Sequence, residues 1–180
     1  MGFGGWSIPK ELFDTLVKIL PEGKTILELG SGEGTAELLK KWNVISIEDN
    51  TKFVDKVYKS DKYKHTWIYA PMVRAKPDND SKKFSVEWYS TKNIELGLKH
   101  LDYDLILVDG PDGKYGRKGF EIYYKRGLFK KNVVIVIDDL QAQKYLNMAV
   151  RICKRHNKIL SYMSALSRST SYGIIKDRVK

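Results

Sequence analysis

The stretch ILELGSGEGTAELLKKWNVISIEDN (Ile26–Asn50) packs Gly30, Gly32 and Gly34 into five residues between two apolar runs and closes on a pair of acids. The run before the glycines, Thr25–Leu29, is short and almost continuously apolar, as expected of a strand buried on both faces. Thr35–Lys41, with Ala36, Leu38 and Leu39, predicts a helix, and Val44–Ile47 a second strand. Small residues between a buried strand and a helix let the backbone approach a ligand closely, and the helix start offers unpaired N–H groups. The spacing is G-x-G-x-G, which departs from the dinucleotide fingerprint G-x-G-x-x-G, and Glu28 stands just before it. A carboxylate there repels a pyrophosphate but welcomes a cationic amino-acid ligand. Glu48 and Asp49, the first of them 18 residues past Gly30, end the second strand. An acid at that place can accept hydrogen bonds from both hydroxyls of a ribose.

Working outward, the pattern repeats. Ile8–Leu20 sets Leu12, Phe13, Leu16, Val17 and Leu20 at three-and-four spacing and predicts a helix ended by Pro21. Phe53, Val54 and Val57 mark a helix after the second strand, and Trp67–Ala70 is a third strand. Residues 71–90, with two prolines and mixed charge, are expected to form a long irregular connection, a length uncommon without a function. A helix follows over Thr91–Leu101, then a fourth strand in DLILVDG, a helix over Arg117–Leu128, a fifth strand in NVVIVIDD and a helix over Gln141–His156. Ile159–Leu166 and Ser171–Lys176 predict a closing antiparallel hairpin. Five strand-then-helix units imply an α/β fold, a mostly parallel sheet with helices on both faces, formed by residues 1–180 as a single domain.

The motif LELGSGEGT, the acids of SIEDN and the terminal hairpin together resemble the class I S-adenosylmethionine-dependent methyltransferases. The resemblance covers nearly the whole chain. It implies a Rossmann-like, seven-stranded sheet of order 3-2-1-4-5-7-6 with strand 7 antiparallel, and S-adenosylmethionine as cofactor. Carried onto this sequence, it assigns Gly30, Ser31, Gly32, Gly34 and Thr35 to the methionyl portion, with Glu28 near its ammonium. Glu48, and after it Asp49, is assigned to the ribose, and Tyr69 and Ala70 to the neighbourhood of the adenine. A tight turn without a ligand and a nicotinamide-binding domain are the alternatives.

Methyl transfer to oxygen or nitrogen is an in-line displacement that depends on holding acceptor and sulfonium aligned. A hydroxyl acceptor also needs its proton removed, by a base or by a metal. The fourth and fifth strands end in VDGPDGKYGR and VIDDL, which puts Asp109, Asp138 and Asp139 on one rim. Three such carboxylates suit a hard cation such as Mg²⁺, in a pattern that resembles the cation-dependent O-methyltransferases, although those commonly carry Asp-Asn after the fifth strand. One of Asp138 and Asp139 is alternatively expected to cap the following helix. Asp109 is the expected catalytic residue, as base, orienter or ligand. The VDGP motif also resembles a broad group of small class I enzymes whose substrates are mostly unassigned, and is similar to that of polysaccharide or glycan O-methyltransferases; the resemblance implies a hydroxyl or carboxyl of a small-molecule or glycan acceptor. Lys114 and Arg117 beside the pocket suit an anionic acceptor, and Trp88 and Tyr89 either stack on it or anchor the long connection.

The net charge of +10 raises the rival of an RNA methyltransferase, tempered by 25 lysines against 7 arginines, since specific phosphate recognition favours arginine's fork. A methyltransferase-like binding module without catalysis is the other rival. The chain has no Asn-Pro-Pro-Tyr-like tetrapeptide after the fourth strand, which argues against methylation of adenine amino groups. The single Cys153 falls in a predicted helix, and the three histidines lack metal spacing. With no apolar run near the roughly 20 residues that span a bilayer, the expectation is a soluble, cytoplasmic protein without a membrane partner.

Overall fold

The computed structural model describes residues 8–54, 60–75 and 85–178. In chain order the elements are α1 (Lys10–Ile19), β1 (Thr25–Leu29), α2 (Glu33–Leu38), β2 (Asn43–Glu48), α3 (Thr51–Val54), β3 (His65–Tyr69), β4 (Met72–Ala75), β5 (Val86–Tyr89), α4 (Thr91–Leu98), β6 (Leu105–Val108), α5 (Lys118–Lys125), β7 (Val134–Ile137), α6 (Gln143–His156), β8 (Lys158–Ala165) and β9 (Thr170–Asp177). Seven strands form one sheet in the order β3-β2-β1-β6-β7-β9-β8. Pairing is parallel from β3 to β7, and β9 runs antiparallel to both β7 and β8. This is the expected strand order, with β9 as the antiparallel seventh strand.

The sheet is buried on both faces because successive residues of its central strands feed two different cores. Ile26, Leu105, Leu107 and Val136 point to one side, where Leu12 and Leu16 of α1, Leu38 of α2 and Trp42 cover them. Leu27, Leu29, Ile106, Val108, Ile135 and Ile137 point to the other, under α4, α5 and α6. Each fully buried aliphatic side chain contributes about 1.5–3 kcal/mol, so a slip of one residue in any central strand would exchange two complete sets of contacts. On α1 the inward face is Leu12 and Leu16, continued by Ile8 before the helix and Leu20 after it, while Val17 faces solvent. Of the helix expected around Phe53, Val54 and Val57, α3 supplies one turn, and Val57 lies outside the described residues.

Residues 71–90 are less irregular than expected. β4 and β5 pair antiparallel as a separate two-stranded sheet, with Met72 opposite Tyr89 and Val73 opposite Trp88; residues 76–84 lie outside the described part. Trp88 is fully buried and lies flat against Gly119 of α5, where a Cβ would fall 2.2 Å from the indole. The hairpin is thereby anchored on the helix layer. Among the described residues no helix is long and apolar enough to cross a membrane.

Candidate active site

A cleft of about 580 Å³ opens above the carboxyl ends of β1, β2, β6 and β7, where open α/β sheets bind ligands. Its floor is the meeting of two loops. Gly30, at φ +87°, follows β1, and Gly110 follows β6; a Cβ on Gly30 would lie 2.8 Å from the Gly110 Cα. Both backbones are tied into the sheet, Gly30 N–H donating to the Ile47 carbonyl at 2.9 Å and Asp109 N–H to the Leu29 carbonyl at 3.1 Å. Glycine is required on both sides of this contact, since a side chain on either would force the loops apart.

The acids of the glycine-loop side act on the loop itself. One Glu48 oxygen accepts from Ser31 N–H at 2.7 Å and Ser31 Oγ at 3.2 Å; the other accepts from the amides of Asp49 at 3.0 Å and Asn50 at 2.8 Å. Burial raises the Glu48 carboxyl above its ordinary value, against the pull of those donors. Asp49 lines the same cleft, and burial raises its carboxyl while its own amide pulls it back down. Glu28 is a correction to the sequence expectation: it lies beneath the loop, outside the cleft lining. It accepts from Thr35 Oγ1 at 2.8 Å and Ser46 Oγ at 2.7 Å, and Gly32 N–H in turn donates to Thr35 Oγ1 at 3.1 Å. Burial pushes its carboxyl up to about 8, so near neutral pH it is largely uncharged and turned toward hydroxyls, unsuited to an ammonium. Gly34 packs against Ile8, and Thr35 is buried in the same relay.

The opposite rim carries Asp109, Asp138 and Asp139, with Arg117 among them. The Arg117 side chain is only 3% exposed. It donates to the carbonyls of Val108 at 3.2 Å, Asp138 at 2.5 Å and Asp109, and to the carboxylates of Asp109 at 3.4 Å and Asp139 at 2.8 Å. Its guanidinium also lies over the Tyr145 ring, 4.6 Å from the centroid. Burial raises the Asp109 carboxyl, with Arg117 pulling it back down, Asp139 adding to the rise and Arg168 opposing it. Asp138 is raised to about 7 by burial and by the charges of Asp109 and Asp139. Two expectations change here. Arg117 is a staple between the ends of β6 and β7, already committed to protein oxygens, and so is not a cation on offer to a substrate. The place expected for a metal is bridged by that guanidinium, and no group of three His, Cys, Asp or Glu among the described residues is arranged to hold one. The donor set does not fit Mg²⁺. Neither aspartate caps α6, whose first turn has no side-chain cap; Asp138 instead accepts from Asp139 N–H at 2.8 Å.

The cleft thus gathers Gly30, Ser31, Glu48, Asp49, Tyr89, Asp109, Lys114, Arg117, Asp138 and Asp139. Lys114 stands exposed at its edge, near Asp112 at 3.9 Å. Tyr69 and Ala70 do not line it: Tyr69 is 45% exposed and Ala70 is buried. Trp88 is buried in the core, which rules out stacking on an acceptor, while Tyr89 from the same hairpin reaches the cleft floor. Among the lining residues not assigned to a site from the sequence, three stand out. Phe53 sits in the turn after the acids, where its spacing resembled helix core, and Arg168 and Thr170 come from the β8–β9 hairpin, whose return over the cleft no local pattern announces.

No protein-family model and no curated protein matches the sequence. Solved structures do match the fold. They include the B. subtilis tRNA methyltransferase TrmK, at TM-score 0.55 and 10% identity over 97% of this chain and 68% of that one. A methyltransferase from Pyrococcus furiosus matches at TM-score 0.54 and 17% identity, over 92% and 80%. Human methyltransferase-like protein 13, solved in complex with SAH, matches at TM-score 0.52 and 14% identity, over 92% and 76%. The chain has the fold of the class I S-adenosylmethionine-dependent methyltransferases.

Proposed function

We propose that the protein is an S-adenosylmethionine-dependent methyltransferase acting on a hydroxyl of a small-molecule or glycan acceptor. The observation that carries this reading is the cleft itself, with a glycine-floored wall and an acid pair at one end and three rim aspartates at the other. Gly30, Ser31 and Gly32 pass beneath the methionyl portion of the cofactor. Asp49 takes the ribose hydroxyls, because Glu48 is spent on the loop amides, and Phe53 offers an apolar face to the adenine. Bound there, the cofactor supplies an electrophilic methyl group on a sulfonium. The acceptor lies against Asp109, which orients its hydroxyl, and a rim carboxylate takes up the hydroxyl proton. Asp138, raised to about 7, has the proton affinity to receive it near neutral pH.

A second reading, an RNA methyltransferase, draws on a groove of about 580 Å³ that continues from the cleft past Lys114 between α5 and α6, lined by Lys118, Lys144 and Arg151. RNA as acceptor predicts affinity that falls steeply with added salt, whereas a neutral glycan predicts little change.

Calorimetry with S-adenosylhomocysteine is the first experiment, followed by methyl-transfer screening against glycans, small phenols and RNA. Cofactor binding without turnover on any acceptor would leave the binding-module reading standing. Asp109→Asn should abolish turnover while leaving cofactor affinity within a few-fold, and full activity in that variant removes Asp109 from the mechanism.

A further inference from the structure

The side chain of Tyr89 poses a question that the fold alone does not answer. Its ring is fully buried, yet its hydroxyl has no hydrogen-bond partner among the described residues. A buried hydroxyl left unpaired is costly, and native structures rarely keep one without a reason. The indole N–H of Trp88 is also unpartnered, but Trp88 faces α5 and does not line the cleft. The Tyr89 hydroxyl sits at the cleft floor where the two glycine loops meet: a Cβ on Gly110 would lie 2.6 Å from it and 2.7 Å from the Gly30 Cα.

Its direction is fixed from behind. The Trp88 ring meets the Tyr89 ring edge-on at 5.0 Å and 66°, and Trp88 is itself pressed on Gly119. The hairpin therefore carries a rigid phenol into the crevice. Burial first, and then the charges of Glu48 and Asp49, hold the phenol pKa well above its ordinary value. The group keeps its proton and has no use as a base. What it offers is a donor.

We propose that the Tyr89 hydroxyl is a cofactor-positioning group, donating a hydrogen bond to an oxygen or ring nitrogen of S-adenosylmethionine at the junction of the two glycine loops. The inference rests on the reading of the cleft as the cofactor site, and it adds a contact from the β4–β5 hairpin to those from the sheet.

Tyr89→Phe tests it, because the proposal sets opposite signs for two measurements. Calorimetry should show S-adenosylhomocysteine binding weakened about two- to tenfold, the loss of one hydrogen bond. Thermal unfolding of the ligand-free variant should come at the same temperature as wild type or higher, since the hydroxyl removed has no partner among the described residues. Unchanged affinity overturns the proposal. A lowered unfolding temperature overturns it too, by revealing a protein partner for the hydroxyl. If wild-type protein shows no binding at all, the cofactor reading of the cleft has failed, and that outcome is visible before the variant is compared.

Discussion

At the β1–β2 end of the cleft, the Glu48 carboxylate is held by three backbone amides and one hydroxyl, and Glu28 beneath it by two hydroxyls. At the β6–β7 end, Asp109 and Asp139 share a single guanidinium that also caps three strand-end carbonyls. The first arrangement spreads its support over several neutral donors, from the loops after β1 and β2 and from Thr35 of α2 and Ser46 of β2. The second concentrates it in one side chain from another part of the chain. Distributed support shapes a loop and tolerates the loss of any single donor; concentrated support fixes the relative position of two strands and fails when its one cation is removed.

The contrast is most exposed to Arg117→Ala. Removing Arg117 leaves the partly exposed Asp109 and Asp139 without their cation and the Asp109 and Asp138 carbonyls without this donor, while the Val108 carbonyl keeps the Asp138 N–H, so a loss of about 2–4 kcal/mol is expected in urea unfolding. Arg117→Lys should recover only part of this, because an ammonium cannot reproduce the fork. A loss under about 1 kcal/mol for the alanine variant would show that the rim does not depend on its staple. Gly30→Ala strikes the loop side through backbone rather than charge. With φ +87° and Gly110 at 2.8 Å from the new methyl, it should cost about 1–3 kcal/mol and weaken S-adenosylhomocysteine binding at least tenfold by calorimetry. Wild-type affinity in this variant would mean that the two loops can separate freely.

The loop side can also be probed through pH. The folded protein holds the Glu28 proton up to about 8, whereas the unfolded chain releases it near 4.5. Folding therefore takes up a proton between those values, and the Glu28 contribution to stability declines as pH rises through that window. Glu28→Gln keeps an acceptor oxygen for Thr35 and Ser46 but cannot titrate. Its unfolding temperature relative to wild type should climb steadily from about pH 5 to about pH 8, by on the order of 10 degrees at this chain length. A constant difference across that range would show that Glu28 is charged in the folded state after all.

The sheet was legible because its central strands are short apolar runs bounded by glycines, prolines and acids, and such runs leave little freedom over where they sit. The glycine loop and its acids were legible for the same local reason. What escaped depended on distance in sequence. Arg117, in a run of lysines and glycines, reads as a surface cation until β6 and β7 bring five oxygens to it. Glu28 reads as a cleft acid until the side-chain alternation of β1 turns it to the face shared with Ile26, beneath the loop. The β4–β5 hairpin hides in a polar, proline-bearing segment because its strands are only four residues each, too short for a period to declare itself. Phe53 reaches the cleft from a segment whose spacing reads as helix core, and Arg168 from a turn that carries no signal of its own.

The contact between Trp88 and Gly119 ties two remote addresses in the chain to a common fate. With an indole already occupying the space where a methyl on residue 119 would go, neither site can drift alone: a larger residue in the helix evicts the ring, and a smaller one in the hairpin leaves a hole over the bare α-carbon. Anyone transplanting this hairpin onto another sheet of the same fold would have to carry the helix glycine with it, or see the tyrosine beside the tryptophan lose its aim.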